Sequence, residues 1–204
     1  MSLLVGTSRR TVLASAASVA VLAFMGVSGC SDPKLAFKSV DITGADYAKE
    51  LNLPDQNGQV RQLKDFAGKL VVVFFGYTQC PDVCPTTMHE LAEVKRLLGP
   101  DGNKLQAVFV TVDPERDTTE LLKAYVENFD ASFVALRPTP EQLPVIAKEF
   151  KIYFKRVEGK TPTSYTMDHS AGSYTFDTQG RVRLFSRYGM GAQALADDFK
   201  LLLK

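Results

Sequence analysis

The run Leu70-Val71-Val72-Val73-Phe74-Phe75 constrains this chain more than any other stretch. Six consecutive apolar positions suit a strand covered on both faces, the interior of a parallel or mixed sheet. The run empties into Gly76-Tyr77-Thr78-Gln79-Cys80-Pro81-Asp82-Val83-Cys84-Pro85, and then into an amphipathic stretch where Met88, Leu91, Val94 and Leu98 recur at helical spacing. A buried strand, a turn with two thiols and a helix whose first residue can be Pro85 make a junction built for sulfur chemistry. Which sulfur chemistry is left open by these residues alone.

The flanking pattern supplies the architecture. Gly99-Pro100-Asp101-Gly102 stops the helix, and Leu105 to Val112 reads as a second buried strand, so strand, helix and strand form a parallel crossover. Upstream, Lys49 to Leu53 and Gln59 to Leu63 flank the turn Pro54-Asp55-Gln56-Asn57-Gly58 as a β-hairpin. Downstream, Asp117 is expected to cap a helix over 119–129, with Glu120 as its return partner. A short strand at Phe133 to Leu136 and a helix from Pro140 to Phe150 follow. Lys155 to Ser164 is polar, contains Gly159 and Pro162, and is expected as an exposed loop. Ser173 to Phe176, the turn Asp177-Thr178-Gln179-Gly180 and Arg181 to Ser186 predict a second hairpin, and a last helix covers 192–203. The sum is an α/β domain with a mixed sheet flanked by helices, an N-terminal hairpin and a hairpin extension. A dithiol just past the first buried strand is where thioredoxin-like folds place theirs.

With 204 residues, 45% apolar content and a net charge of +1, the chain fits one domain plus an extension and offers no basic surface for nucleic acid. The domain is expected to be monomeric. Arg9 and Arg10 precede an uncharged Ala-, Val- and Leu-rich stretch from Thr11 to Gly29, which ends in Val27-Ser28-Gly29-Cys30. This reads as an export signal over 1–29, twin-arginine-like, with Cys30 resembling the lipidated cysteine of a bacterial lipobox. An uncleaved membrane helix is the alternative, and either reading tethers the domain to the extracytoplasmic side of a bacterial membrane, with the inner membrane facing the periplasm as the expected site. Residues 30–44 would be anchor and linker, and 45–204 the domain.

If Cys30 is the anchor, Cys80 and Cys84 remain as a pair. Outside the cytoplasm such a pair oxidises to a disulfide unless it is held reduced or a metal occupies it. Their C-x3-C spacing puts both sulfurs on one side of a helix start, whose free N–H groups favour thiolate. Two thiolates make a soft-metal claw that is incomplete for Cu(I) or Zn(II), and there are only two histidines to complete it. His89, on the amphipathic helix, reads as a surface residue. His169, just before a predicted strand in a region that borders the dithiol, reads either as a capped or solvated loop residue or as a third ligand. Asp168 would orient its imidazole or cap the turn, Asp82 is an exposed acid that could tune the thiols, and Met88 reads as core.

Three segments then carry a family resemblance. Gly76 to Pro85, Val110-Thr111-Val112-Asp113-Pro114-Glu115-Arg116-Asp117-Thr118, and Tyr165-Thr166-Met167-Asp168-His169-Ser170 are similar, in order, to the signatures of the Sco/SenC family. The resemblance implies a thioredoxin-like, membrane-tethered copper protein that helps assemble the dinuclear copper site of cytochrome c oxidase, with Cys80, Cys84 and His169 as ligands. Its partner would be the copper-bearing oxidase subunit or another copper acceptor. An S2N donor set suits three-coordinate Cu(I) better than structural zinc. Ser164 stands where many members carry an acid before the tyrosine. The competing reading is an extracytoplasmic thiol-disulfide oxidoreductase using Cys80 and Cys84, with Cys80 as attacking thiol. Against it stand the three-residue spacing and the absence of proline from Ser170-Ala171-Gly172.

Overall fold

The computed structural model describes residues 35–161 and 164–204; the expected export signal and Cys30 lie outside them. The apolar run forms strand β4 (Leu70–Gly76), buried at every position, and lies parallel to an equally buried β5 (Leu105–Thr111). Helix α1 (Val83–Leu97) makes the crossover between them, and α2 (Thr119–Glu127) leads on to β6 (Val134–Leu136), parallel to β5. On the other side of β4, β9 (Ser173–Phe176) and β10 (Val182–Ser186) form the second hairpin, antiparallel to β4. Strand β1 (Val40–Asp41) completes a six-stranded sheet of order β1-β10-β9-β4-β5-β6. This is the mixed, thioredoxin-like α/β arrangement that the sequence predicts, with α3 (Gln142–Glu149) and α4 (Ala192–Leu202) as the remaining helices.

Side-chain alternation along β4 divides the core. Phe75 meets Phe150 beyond α3 on one face, with ring centroids 5.1 Å apart. Phe74 and its register partner Phe109 line the opposite face, where Tyr125 of α2 packs on Phe109.

The N-terminal hairpin, β2 (Asn52–Pro54) with β3 (Val60–Gln62), folds as its Asn-Gly turn predicts. Asp55 Oδ1 accepts the Asn57 and Gln59 amides, and Gly58 takes φ +78°, a left-handed conformation that glycine adopts without strain. The same device recurs at the β9–β10 turn with Asp177 and Gly180. The Asp55 turn also pairs with the β6 edge, through Gln56 N–H to the Ala135 carbonyl and Arg137 N–H to the Pro54 carbonyl, and so covers an open sheet edge.

Four local expectations are corrected. The α1 helix starts at Val83, not at Pro85, so Cys84 lies in its first turn. Thr118, not Asp117, caps α2: its side chain accepts the Leu121 amide. Part of the stretch expected as linker belongs to the sheet, because β1 pairs with β10 and the buried Asp198 accepts the Lys38 and Ser39 amides. Finally, the stretch expected as a polar loop contains strand β7 (Phe154–Glu158), which pairs antiparallel with β8 (Tyr165–His169). Its polar sequence is that of a two-stranded ribbon with only one face against the body. The face carrying Tyr165 and Met167 is buried, whereas Lys155, Thr166 and Asp168 are exposed.

Candidate metal centre

The site forms where three segments meet at the C-terminal ends of β4 and β5. Beyond Gly76 the chain turns through Tyr77 to Asp82, where the Cys80 amide donates to the Tyr77 carbonyl at 3.2 Å. Asp82 occupies the N-cap position of α1 but makes no side-chain capping bond. The Cys84 amide donates instead to Cys80 Sγ at 3.4 Å, so a sulfur satisfies one of the orphan N–H groups of the helix start. Cys80 is half-buried and Cys84 fully buried, and both thiols are free. A dithiol is the form that can ligate a metal, since the thiolate is the ligand.

Close packing fixes Cys84. A Cβ on Gly76 would stand 2.8 Å from Cys84 Sγ and 2.9 Å from Phe109 Cε2, so the sulfur rests against bare backbone of β4. Burial, first of all, pushes the Cys84 thiol well above its ordinary range, and the hydrogen bond with Cys80 adds to the shift.

A buried carboxylate supports the loop. Asp117 accepts the Thr78 amide and hydroxyl, at 3.1 and 2.6 Å, and the Thr111 hydroxyl at 2.6 Å. It thereby ties the segment leading to Cys80 to the end of β5. Burial raises its pKa, and the hydrogen bonds from Thr111 and Thr78 work in the opposite direction. The sequence pattern predicts Asp117 as a helix cap; an acid two residues before a helix gives no signal of burial.

His169, the last residue of β8, brings its Nε2 to 3.4 Å from Cys84 Sγ. Its Nδ1 lies 3.0 Å from the Ser170 carbonyl oxygen. A carbonyl only accepts, so Nδ1 carries the proton and Nε2 presents its lone pair to the thiols. Desolvation lowers the imidazole pKa, which keeps the ring neutral. Phe74 and Tyr77 hold it edge-on, with centroids at 6.1 and 5.9 Å. The orienting role expected of Asp168 thus falls to a backbone oxygen, and Asp168 itself is exposed.

One ligand atom each from Cys80, Cys84 and His169 lies within 4.8 Å of the others. The other candidates stand apart: His89 is exposed, Met88 is fully buried in the core, and Asp82 is exposed and accepts the Thr86 hydroxyl at 3.5 Å. Two sulfurs and a neutral imidazole nitrogen form a soft donor set of the kind that Cu(I) accepts in three-coordination.

The family model described as SCO1/SenC matches residues 40–204. The chain belongs to the SCO1/SenC family. A SCO2-like protein of Rickettsia prowazekii is 34% identical to this SCO1/SenC chain over 149 residues, 72% of this chain and 73% of that protein. Across four Rickettsia relatives the aligned stretch spans 64% to 73% of their lengths. Among solved structures, Bradyrhizobium japonicum ScoI with copper bound is 39% identical, with a TM-score of 0.68 over 76% of this chain and 98% of that one. Yeast Sco1 with copper bound is 28% identical, with a TM-score of 0.68 over 74% and 85% of the two chains.

Proposed function

We propose that this SCO1/SenC protein is a copper metallochaperone: it carries one copper ion on Cys80 Sγ, Cys84 Sγ and His169 Nε2, and passes it by ligand exchange to the copper-bearing subunit of cytochrome c oxidase. Copper is here cargo, and no net reaction is catalysed. The observation that carries the reading is the convergence of three soft donors within 4.8 Å, with the histidine tautomer already set for ligation. The copper-bound relatives support the choice of metal. The half-buried position of Cys80 offers the exit side, because an incoming thiolate can displace an accessible ligand before the buried Cys84. The proposal includes an export signal over 1–29 and a lipidated Cys30, which would hold the domain on the outer side of a bacterial inner membrane.

The test is a Cu(I) titration of the reduced domain against a chromophoric chelator. One copper per chain is expected, and His169→Ala, which removes a ligand outright, should weaken binding by at least the roughly tenfold to hundredfold that losing an outer-shell partner costs. Unchanged binding in that variant removes the histidine from the set.

A thiol-disulfide oxidoreductase is the second reading, favoured by two adjacent free thiols of unequal exposure, with Cys80 as the accessible nucleophile. Turnover of a disulfide substrate that His169→Ala leaves intact would make this the better description.

A further inference from the structure

Among the described residues, the hairpin that carries His169 shares no backbone ladder with the six-stranded sheet. Its own pairing continues one step past the strands, where the Ser170 amide donates to the Tyr153 carbonyl at 2.9 Å. Side chains of the body reach its backbone and its Tyr165 ring and hydroxyl, and the position of His169 Nε2 depends on that seat. Arg116 occupies the centre of the contact. Its Nε pairs with the buried Asp113 carboxylate, whose other oxygen accepts the Tyr165 hydroxyl at 2.8 Å. Its Nη1 donates both to the Tyr165 carbonyl, at 2.8 Å, and to Gln79 Oε1, at 3.1 Å. The guanidinium carbon lies 3.5 Å from the Tyr165 ring centroid and 5.8 Å from that of Tyr77, the ring against which His169 packs. Arg156 sits 3.7 Å from the Tyr165 ring centroid.

One side chain therefore joins the residue before Cys80 to the first residue of the strand that ends in His169. We propose that Arg116 is a positioning residue that holds the histidine hairpin over the two thiols and so decides whether the third donor reaches the metal. The role needs a planar cation that can stack on a ring while donating in several in-plane directions. Lysine, a point charge on a flexible stem, supplies neither. The inference rests on the copper reading given above, but part of its test needs no copper.

Arg116→Lys keeps a positive charge beside Asp113, so the buried carboxylate is not stranded. In the metal-free protein, the nitrogen shifts of the His169 imidazole should move from the fixed Nδ1–H form toward an average of tautomers. In Cu(I) competition, affinity should fall about tenfold, as for other groups that orient metal ligands. In a His169→Ala background the same substitution should cost nothing further, because Arg116 acts through the histidine. The paired variant Arg116→Leu with Asp113→Asn removes both charges together and carries the same comparison if Arg116→Lys does not fold. Wild-type imidazole shifts together with wild-type affinity would overturn the proposal. So would a loss that persists undiminished without His169, which would assign Arg116 to the thiol loop or the general fold. Failure of wild-type protein to bind copper would instead sink the metallochaperone reading and leave the imidazole measurement standing.

Discussion

Replacing Gly76 by alanine tests whether the Cys84 sulfur is held by packing against β4. The added Cβ would meet Cys84 Sγ at 2.8 Å, Phe109 Cε2 at 2.9 Å and Phe74 Cε1 at 3.0 Å. Ordinary carbon contacts lie at about 3.5–4.0 Å, so roughly 0.7–1 Å must be recovered. The rings cannot supply it: Phe74 and Phe109 are fully buried, and their strands are locked by the parallel ladder. Cys84 is the short side chain that can rotate, and its sulfur moves out of the cluster. Metal sites tolerate ligand displacements of only about 0.2 Å, so Cu(I) affinity should fall about tenfold to a hundredfold. Overpacking should also lower stability by about 1–3 kcal/mol. Urea unfolding of the reduced protein and chelator competition read the two effects separately. Adding Phe109→Leu relieves the ring contact but not the sulfur contact, so stability should partly recover and affinity should not. Wild-type copper affinity in Gly76→Ala would refute the reasoning, since the sulfur would then have room that the packing denies.

Asp117→Ala leaves the Thr78 amide and hydroxyl and the Thr111 hydroxyl without their acceptor, at about 1–3 kcal/mol for each donor left buried and unpaired. Asp117→Asn keeps one acceptor oxygen and removes a carboxylate that burial already disfavours, so urea midpoints should rank wild type and Asn together, well above Ala. Thr118→Ala should cost about 0.5–2 kcal/mol through loss of the α2 cap, and an equal loss of helix α2 in Asp117→Asn would reassign the cap. Burial works to raise the Asp177 pKa, but hydrogen bonds from Arg181, Gln179 and Arg183 outweigh it and hold the carboxyl below its ordinary 3.8. Its contribution is therefore complete above pH 3.8 and is lost as pH falls below that value, so the stability gap between wild type and Asp177→Asn should close on acidification. A gap that widens toward low pH would contradict the sign.

Two of the expectations that fail near the site fail because the deciding contacts are made by residues remote in the chain. Asp117 looked like a cap because acids before helices usually are, and nothing in Asp113 to Thr118 records that Thr78, thirty-nine residues earlier, lies above it. Lys155 to Ser164 looked like a loop because a ribbon with one exposed face keeps few apolar residues. Its partner β8 replaces the loop expected around His169, for the same reason. By contrast, β4, β5 and α1 were legible because continuous burial and helical periodicity are written into consecutive residues, and the Asp55 and Asp177 turns because their hydrogen bonds close within four residues.

The sequence by itself determined the strand-to-helix junction, the three-residue spacing of Cys80 and Cys84 at that junction, and, through three ordered motifs, the candidacy of His169. Those are local or pattern properties, carried by spacing. Tertiary structure alone decided that Nε2 faces the thiols, that a backbone carbonyl and not Asp168 sets the tautomer, that Gly76 makes room for a sulfur, and that Arg116 spans the two halves of the site. Each of these depends on which distant surfaces come into contact, and close packing, unlike periodicity, leaves no trace in the order of residues.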